Sequence, residues 1–149
     1  MPQRDSTGAE IRTHAEKAEF NLMLGAIADL YLTANVLILL DTSYLSRFWT
    51  LTEAWCSMQA ATKEGLRPVG PGEPRRYTIK CIHNASYDFA APALENLVGK
   101  NTAADMSKIL KAPDVLVTNQ KDKDDMIPII EKIDENVKKH MNGELAPHA

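Results

Sequence analysis

One acid, Glu53, stands in the segment SYLSRFWTLTEAW, residues 43–55, among large apolar and aromatic side chains. At about 100° per residue on a helical wheel, Glu53 lies nearly opposite Leu51 and on the stripe of Trp49, Cys56 and Ala60. A helix of this kind is apolar on two sides. Its Trp55 and Met58 face is expected to pack on a sheet, leaving Trp49, Glu53 and Cys56 to line a cleft or a partner surface. A carboxylate in that company loses hydration, which raises its pKa and suits it to functional work. The plainer alternative is a good helix former near the first turns, favoured by the helix dipole and reaching solvent past Trp49.

Other polar groups gather where short apolar runs end. Asp41, Thr42 and Ser43 follow the run NVLILL, and His83 and Asn84 close the run YTIKCI. In a doubly wound sheet, ligands bind outside the carboxyl ends of the strands, so these residues are expected along one rim. Ser43 and Ser46 could orient ligand oxygens there, or serve only as helix caps. His83 is the most suggestive of the histidines because of its strand-end position, with a surface or packing role as the alternative. No second histidine or cysteine stands near it at ligand spacing, so no metal site is expected.

The positioning elements follow from periodicity. Phe20, Leu24, Ile27 and Tyr31, with Met23 and Leu30 beside them, predict an amphipathic helix over residues 9–33. Residues 35–40 give a short run of branched aliphatics after Asn35 with no polar alternation, as in a parallel strand covered on both faces. Asp41, Thr42 and Ser43 stop that strand and offer caps to a second helix expected over residues 46–64. GLRPVGPGEPRR, residues 65–76, carries three prolines and three glycines and is expected as a loop. Without a Gly-Lys-Ser/Thr ending or a helix straight after it, this loop is no phosphate cradle. A strand over 77–83, short helices over 92–98 and 103–110, a third strand over 114–118 and a closing helix over 124–141 complete the pattern. Alternating strands and helices predict an α/β fold, a flavodoxin-like parallel sheet of three to four strands with helices on both faces. One domain over residues 1–142 is expected, with a flexible tail over 143–149. The cluster KDKDD, residues 121–125, is expected to solvate the turn and to place acids near the positive end of the closing helix.

Composition narrows the function classes. Seventeen Lys and Arg against 20 Asp and Glu give a net charge of −3, with no basic excess to neutralise a nucleic-acid backbone. Nucleic acid is therefore an unexpected partner. Cys56 and Cys81, both in apolar contexts, read as buried thiols in a reducing compartment. The longest apolar run, VLILL, is too short to span a bilayer, and the amino-terminal residues lack a signal-peptide core. A cytoplasmic location and no membrane partner are the corresponding expectations.

The stretch NVLILLDTSYLSRFWTLTEAW resembles the third strand and following helix of Toll/interleukin-1 receptor (TIR) domains. Those often carry an aliphatic strand, a Ser or Asn, an aromatic, a Ser two residues on, and Trp-Cys-Leu-x-Glu-Leu. Tyr44, Ser46, Trp49, Leu51 and Glu53 fall on that pattern without a gap, while Thr50 replaces the usual Cys and Ala54 the usual Leu. The preceding GAEIRTHAEKAEFNLMLGAI is similar to the family's loop and helix before that strand. TIR domains begin with a further strand bearing an aromatic and Ser signature, and none precedes Ala9, so a missing or rebuilt first strand is expected. A shorter likeness, to the Trp-x-Leu-x-Glu segment of fungal heterokaryon-incompatibility domains, rests on the same letters.

The TIR resemblance implies one of two functions. Enzymatic members cleave the nicotinamide–ribose bond of NAD with a Glu at the position of Glu53. Nicotinamide leaves a pyridinium as a neutral molecule, so no general acid is needed, unlike the paired carboxylates of ordinary glycoside hydrolysis. One carboxylate stabilises positive charge at the anomeric carbon. Asp41, Ser43, Ser46, Trp49 and His83 would then contact the nucleotide, with Trp49 stacking on a ring. NAD is a substrate in this reading, and no resident cofactor is expected. The other implied function is a non-catalytic adaptor that self-associates or binds a partner through an exposed apolar face including Trp49.

Overall fold

A computed structural model describes residues 13–144. The expected first residues of the opening helix, 9–12, and tail residues 145–149 lie outside that range, as do the side chains of Phe20 and Leu24.

Helix α1, His14–Thr33, opens on a capping box: the Thr13 hydroxyl accepts from the Glu16 N–H at 3.2 Å, and the Thr13 N–H donates to the Glu16 carboxylate at 2.8 Å. Ala28 and Leu32 are buried, with Ile27 and Tyr31 half-buried beside them. Met23 and Leu30, expected near the apolar stripe, stand exposed. Ala34 turns the chain to extended geometry and into β1, Val36–Leu40, which pairs in parallel with β4, Tyr77–Cys81, in the register Ile38↔Ile79.

The sheet departs from expectation in two ways. It has two strands among the described residues, and residues 114–118 contribute only a single parallel bridge between Leu116 and Arg47. The Leu116 N–H donates to the Ser46 carbonyl at 2.7 Å, and the Phe48 N–H donates to the Leu116 carbonyl at 2.9 Å. Five short residues satisfy one rung there and then give way to α5, Gln120–Met141. Moreover, β1 is packed on one face only: Ile38 and Leu40 are buried, whereas Leu37 and Leu39 are 60% and 51% exposed. The unbroken aliphatic run therefore does not mark a strand with both faces covered. The architecture is α/β, with a smaller parallel sheet than the three to four strands predicted.

A 3₁₀ turn, Tyr44–Ser46, leads into α2, Phe48–Ser57. This helix is shorter than the span 46–64 read from periodicity. The Ser57 hydroxyl folds back onto the Ala54 carbonyl at 2.8 Å, and the Met58 N–H is shared between the Ala54 and Trp55 carbonyls. The chain then enters an antiparallel hairpin of β2, Gln59–Thr62, and β3, Gly65–Pro68. The first part of the proline-rich segment is thus strand, and only the remainder is loop. Residues with modest strand preference are held extended because the hairpin packs against α5, where Asp134 Oδ1 accepts the Leu66 N–H at 2.7 Å.

Helices α3, Ala90–Val98, and α4, Ala103–Lys111, match the two short helices predicted. The closing helix α5 begins at Gln120, earlier than the expected 124, so the KDKDD cluster lies within its first turns and sets Asp122 at its positive end, as expected. Trp55, Phe48, Leu51, Leu94, Met106, Leu110 and Ile130 form the centre of the core. The Trp55 indole N–H donates to the Asn101 carbonyl at 2.8 Å, which ties α2 to the α3–α4 junction.

Candidate functional site

One side chain bridges the carboxyl ends of α1 and α2, which also pack directly on each other. Arg76, just before β4, donates from Nη1 to the Tyr31 and Ala34 carbonyls at 3.1 and 3.3 Å. From Nη2 it donates to the Cys56 carbonyl at 3.5 Å and to the Gln59 carbonyl. The four acceptors are main-chain carbonyls at or near the carboxyl ends of both helices, where a cation is favoured. Between the same two helices, Tyr31 of α1 lies near Glu53 of α2.

Glu53 is half-buried. Burial raises its pKa above the ordinary 4.5, and hydrogen bonding with Tyr31 and the charge of Arg47 act in the opposite sense. The Tyr31 phenol is pushed up to about 12 by burial, then by the Glu53 charge and hydrogen bond. Burial and the same carboxylate raise Tyr44 as well. Cys56, fully buried, is pushed up to about 12, mainly by burial and secondarily by Glu53, so its thiol stays protonated and is no nucleophile. The cluster is a partly dehydrated carboxylate with neutral hydroxyl and thiol neighbours. It can accept hydrogen bonds and attract a cation.

The rim residues form a separate group. The register Leu40↔Cys81 sets Asp41 and His83 at the same end of the parallel sheet, as expected. Asp41 Oδ1 accepts from the Ser43 N–H at 3.0 Å and from the Ser43 hydroxyl at 2.9 Å, and these bonds, the hydroxyl first, hold the Asp41 carboxyl below its usual range. The Ser46 hydroxyl donates to the Ser43 carbonyl at 2.9 Å. Both serine protons are therefore committed to closing the turn, and Ser43 makes no side-chain cap. His83 is exposed and adopts φ 53°, the left-handed region. Trp49 is half-buried and meets Phe48 edge to face at 5.4 Å.

Asp41, Ser43 and Ser46 are thus brought together in one turn, whereas Glu53 is grouped with Tyr31, Tyr44 and Arg47. Two surface cavities lie elsewhere. One, about 670 Å³, runs between residues 111–117 and α5. The buried Lys123 lines it, donating to the Ala112 and Val115 carbonyls at 3.1 and 3.2 Å. The second, about 530 Å³, lies between β4 and α3, beside Tyr77 and Glu95, whose hydroxyl and carboxylate bond at 2.8 Å. Neither is lined by Glu53. Among the described residues, no three His, Cys, Asp or Glu side chains are grouped to hold a metal ion, and no helix is long and apolar enough to cross a membrane. Of the two cysteines expected as buried thiols, Cys56 is buried and Cys81 half-buried, and both are free.

Sequence reading overlooked Tyr31 as a partner of Glu53, and Arg76 altogether. Tyr31 carried a faint signal, a hydroxyl on an otherwise apolar helical stripe. Arg76 carried none, because its four acceptors lie 17 to 45 residues away. Compared with known proteins, the chain matches no protein-family model, no curated protein and no solved structure.

Proposed function

We propose that this chain is a self-associating signalling module of the TIR type, acting in the cytoplasm through contacts between protein surfaces. The observation that carries this reading is the open side of β1: an uncharged strand with no neighbour on its outer edge among the described residues, and with Leu37 and Leu39 exposed. Natural proteins usually blunt such an edge with charge, proline or a bulge, and β1 carries none of these. Exposed Met23 and Leu30 on α1 add further apolar surface. Sedimentation velocity over a range of protein concentrations tests the reading. A rising weight-average mass is expected, and a monomer at every concentration would remove it.

A second reading, hydrolysis of the nicotinamide–ribose bond of NAD, is favoured by the state of Glu53. A partly dehydrated carboxylate beside the Tyr31 phenol suits the stabilisation of an anomeric cation. Because nicotinamide departs neutral, Glu53 would act alone, with Trp49 on the same face of α2 as the stacking surface and Asp41, Ser43, Ser46 and His83 as nucleotide contacts. Release of nicotinamide by the unchanged chain and by Glu53→Ala, at high protein concentration, decides it. Equal rates would end the enzymatic reading and leave the interaction module untouched.

A further inference from the structure

We infer that two copies of this chain pair through β1 in antiparallel, with the twofold axis passing between the two Ile38 residues. This rests on the self-association proposed above and names its surface and symmetry.

The backbone fixes which groups are available. The Val36 N–H donates to the Arg76 carbonyl at 2.7 Å, and the Leu40 carbonyl accepts the Ile82 N–H at 2.9 Å. Residues 36, 38 and 40 therefore turn their main-chain groups toward β4, and Leu37 and Leu39 turn theirs outward. In an antiparallel pair centred on Ile38, Leu37 of one copy stands opposite Leu39 of the other as a hydrogen-bonded pair. Each exchanges its N–H and C=O with its opposite, and the pairing occurs twice by symmetry.

The choice of a second copy, over an unrelated strand, comes from side-chain complementarity along the same face. Residues 35, 37, 39 and 41 alternate onto the exposed side and read Asn, Leu, Leu, Asp. Reversed, the sequence sets Asn35 against Asp41 at both ends and leucine against leucine in the middle. The Asn35 amide is a donor and is exposed. Asp41 spends Oδ1 on Ser43, and its carboxylate is held ionised by those bonds, ready to accept from the opposing amide. No like charges meet anywhere in this register. The result is a continuous four-stranded sheet, β4–β1–β1–β4, in which the open edge of β1 disappears and each exposed leucine has a cross-strand neighbour.

Sedimentation of the full chain and three variants tests the pairing, with far-UV circular dichroism as the control for folding. The double variant Leu37→Lys/Leu39→Lys changes only exposed side chains and is expected to be folded and monomeric. Asn35→Lys, which sets an ammonium against the opposing Asp41, should tighten the dimer, more so at low salt. Asn35→Asp should weaken it by about tenfold, since two like-charge cross-strand pairs are created. Amide hydrogen exchange at Leu37 and Leu39 should slow as protein concentration rises. Concentration-dependent association that survives the double lysine variant would overturn the β1 surface while leaving self-association standing. Equal affinity of Asn35→Lys and Asn35→Asp would overturn the twofold register. Leu37 and Leu39 amides protected in a monomer would mean that the edge is already filled, and would overturn the pairing.

Discussion

Arg76 donates to four carbonyls at the ends of α1 and α2 and the start of β2, and among the described residues no carboxylate pairs with its guanidinium. Deleting it removes a donor from four part-buried carbonyls. Arg76→Ala is expected to cost about 3 kcal/mol in denaturant unfolding. Arg76→Lys should recover less than half of the loss, because an ammonium cannot fork across two helix ends. Glu53 makes a different prediction, one of sign. Its folded pKa lies above the ordinary 4.5, chiefly through burial. Between those two values the native state holds more protons than the unfolded chain, so the stability linked to Glu53 is fully present below 4.5 and is lost as pH rises through the raised value. Thermal melts of Glu53→Gln should therefore exceed those of the unchanged chain at neutral pH, with the gap closing as pH falls toward 4.5. A gap independent of pH would show that the carboxylate is not dehydrated. At this scale Glu53 was legible, because an acid amid aromatics at helical spacing stands out within one turn of chain. Its grouping with Tyr31 was not, since that depends on how two helices pack, a contact between segments 22 residues apart.

The hairpin after α2 is where local preference was overridden. QAATKEG reads as a helix end, yet residues 59–68 are two strands. Gly65 explains the switch. It adopts φ +117°, outside the range of L side chains, and a Cβ there would sit 2.5 Å from Asp134 Oδ1. The same oxygen holds the Leu66 N–H, so the turn, β3 and α5 are fastened at one point. Gly65→Ala should destabilise by about 2 kcal/mol or more, through backbone strain and contact with Asp134 together. Asp134→Ala alone loses one hydrogen bond, about 1 kcal/mol. The double variant should lose less than the sum, because removing the carboxylate relieves the crowding; urea titrations of all four forms measure that coupling. Of the elements read correctly in kind, α1, α4 and α5 open on side-chain caps, whereas α3 opens on Phe89 with none. Thr13 with Glu16 and Thr102 with Asp105 are caps written in the sequence.

For the whole molecule, self-association couples to stability by mass action, since a dimer of folded chains is favoured over unfolded monomers as concentration increases. The melting temperature of the unchanged chain should climb with protein concentration, and that of Leu37→Lys/Leu39→Lys should stay constant. Calorimetry at several concentrations reads both. A flat response in the unchanged chain would contradict the proposed module. The sequence by itself determined that the chain alternates helix and strand, that β1 is short and aliphatic, and that Glu53 shares a helix face with Trp49, because each of these is a pattern within a few turns of backbone. Only the tertiary structure decided that residues 114–118 form one bridge and no strand, that α2 stops at Ser57, and that one face of β1 is open. Strand pairing and face burial are contacts between distant segments. Their free energy depends on what other elements leave uncovered, which no local run of residues encodes.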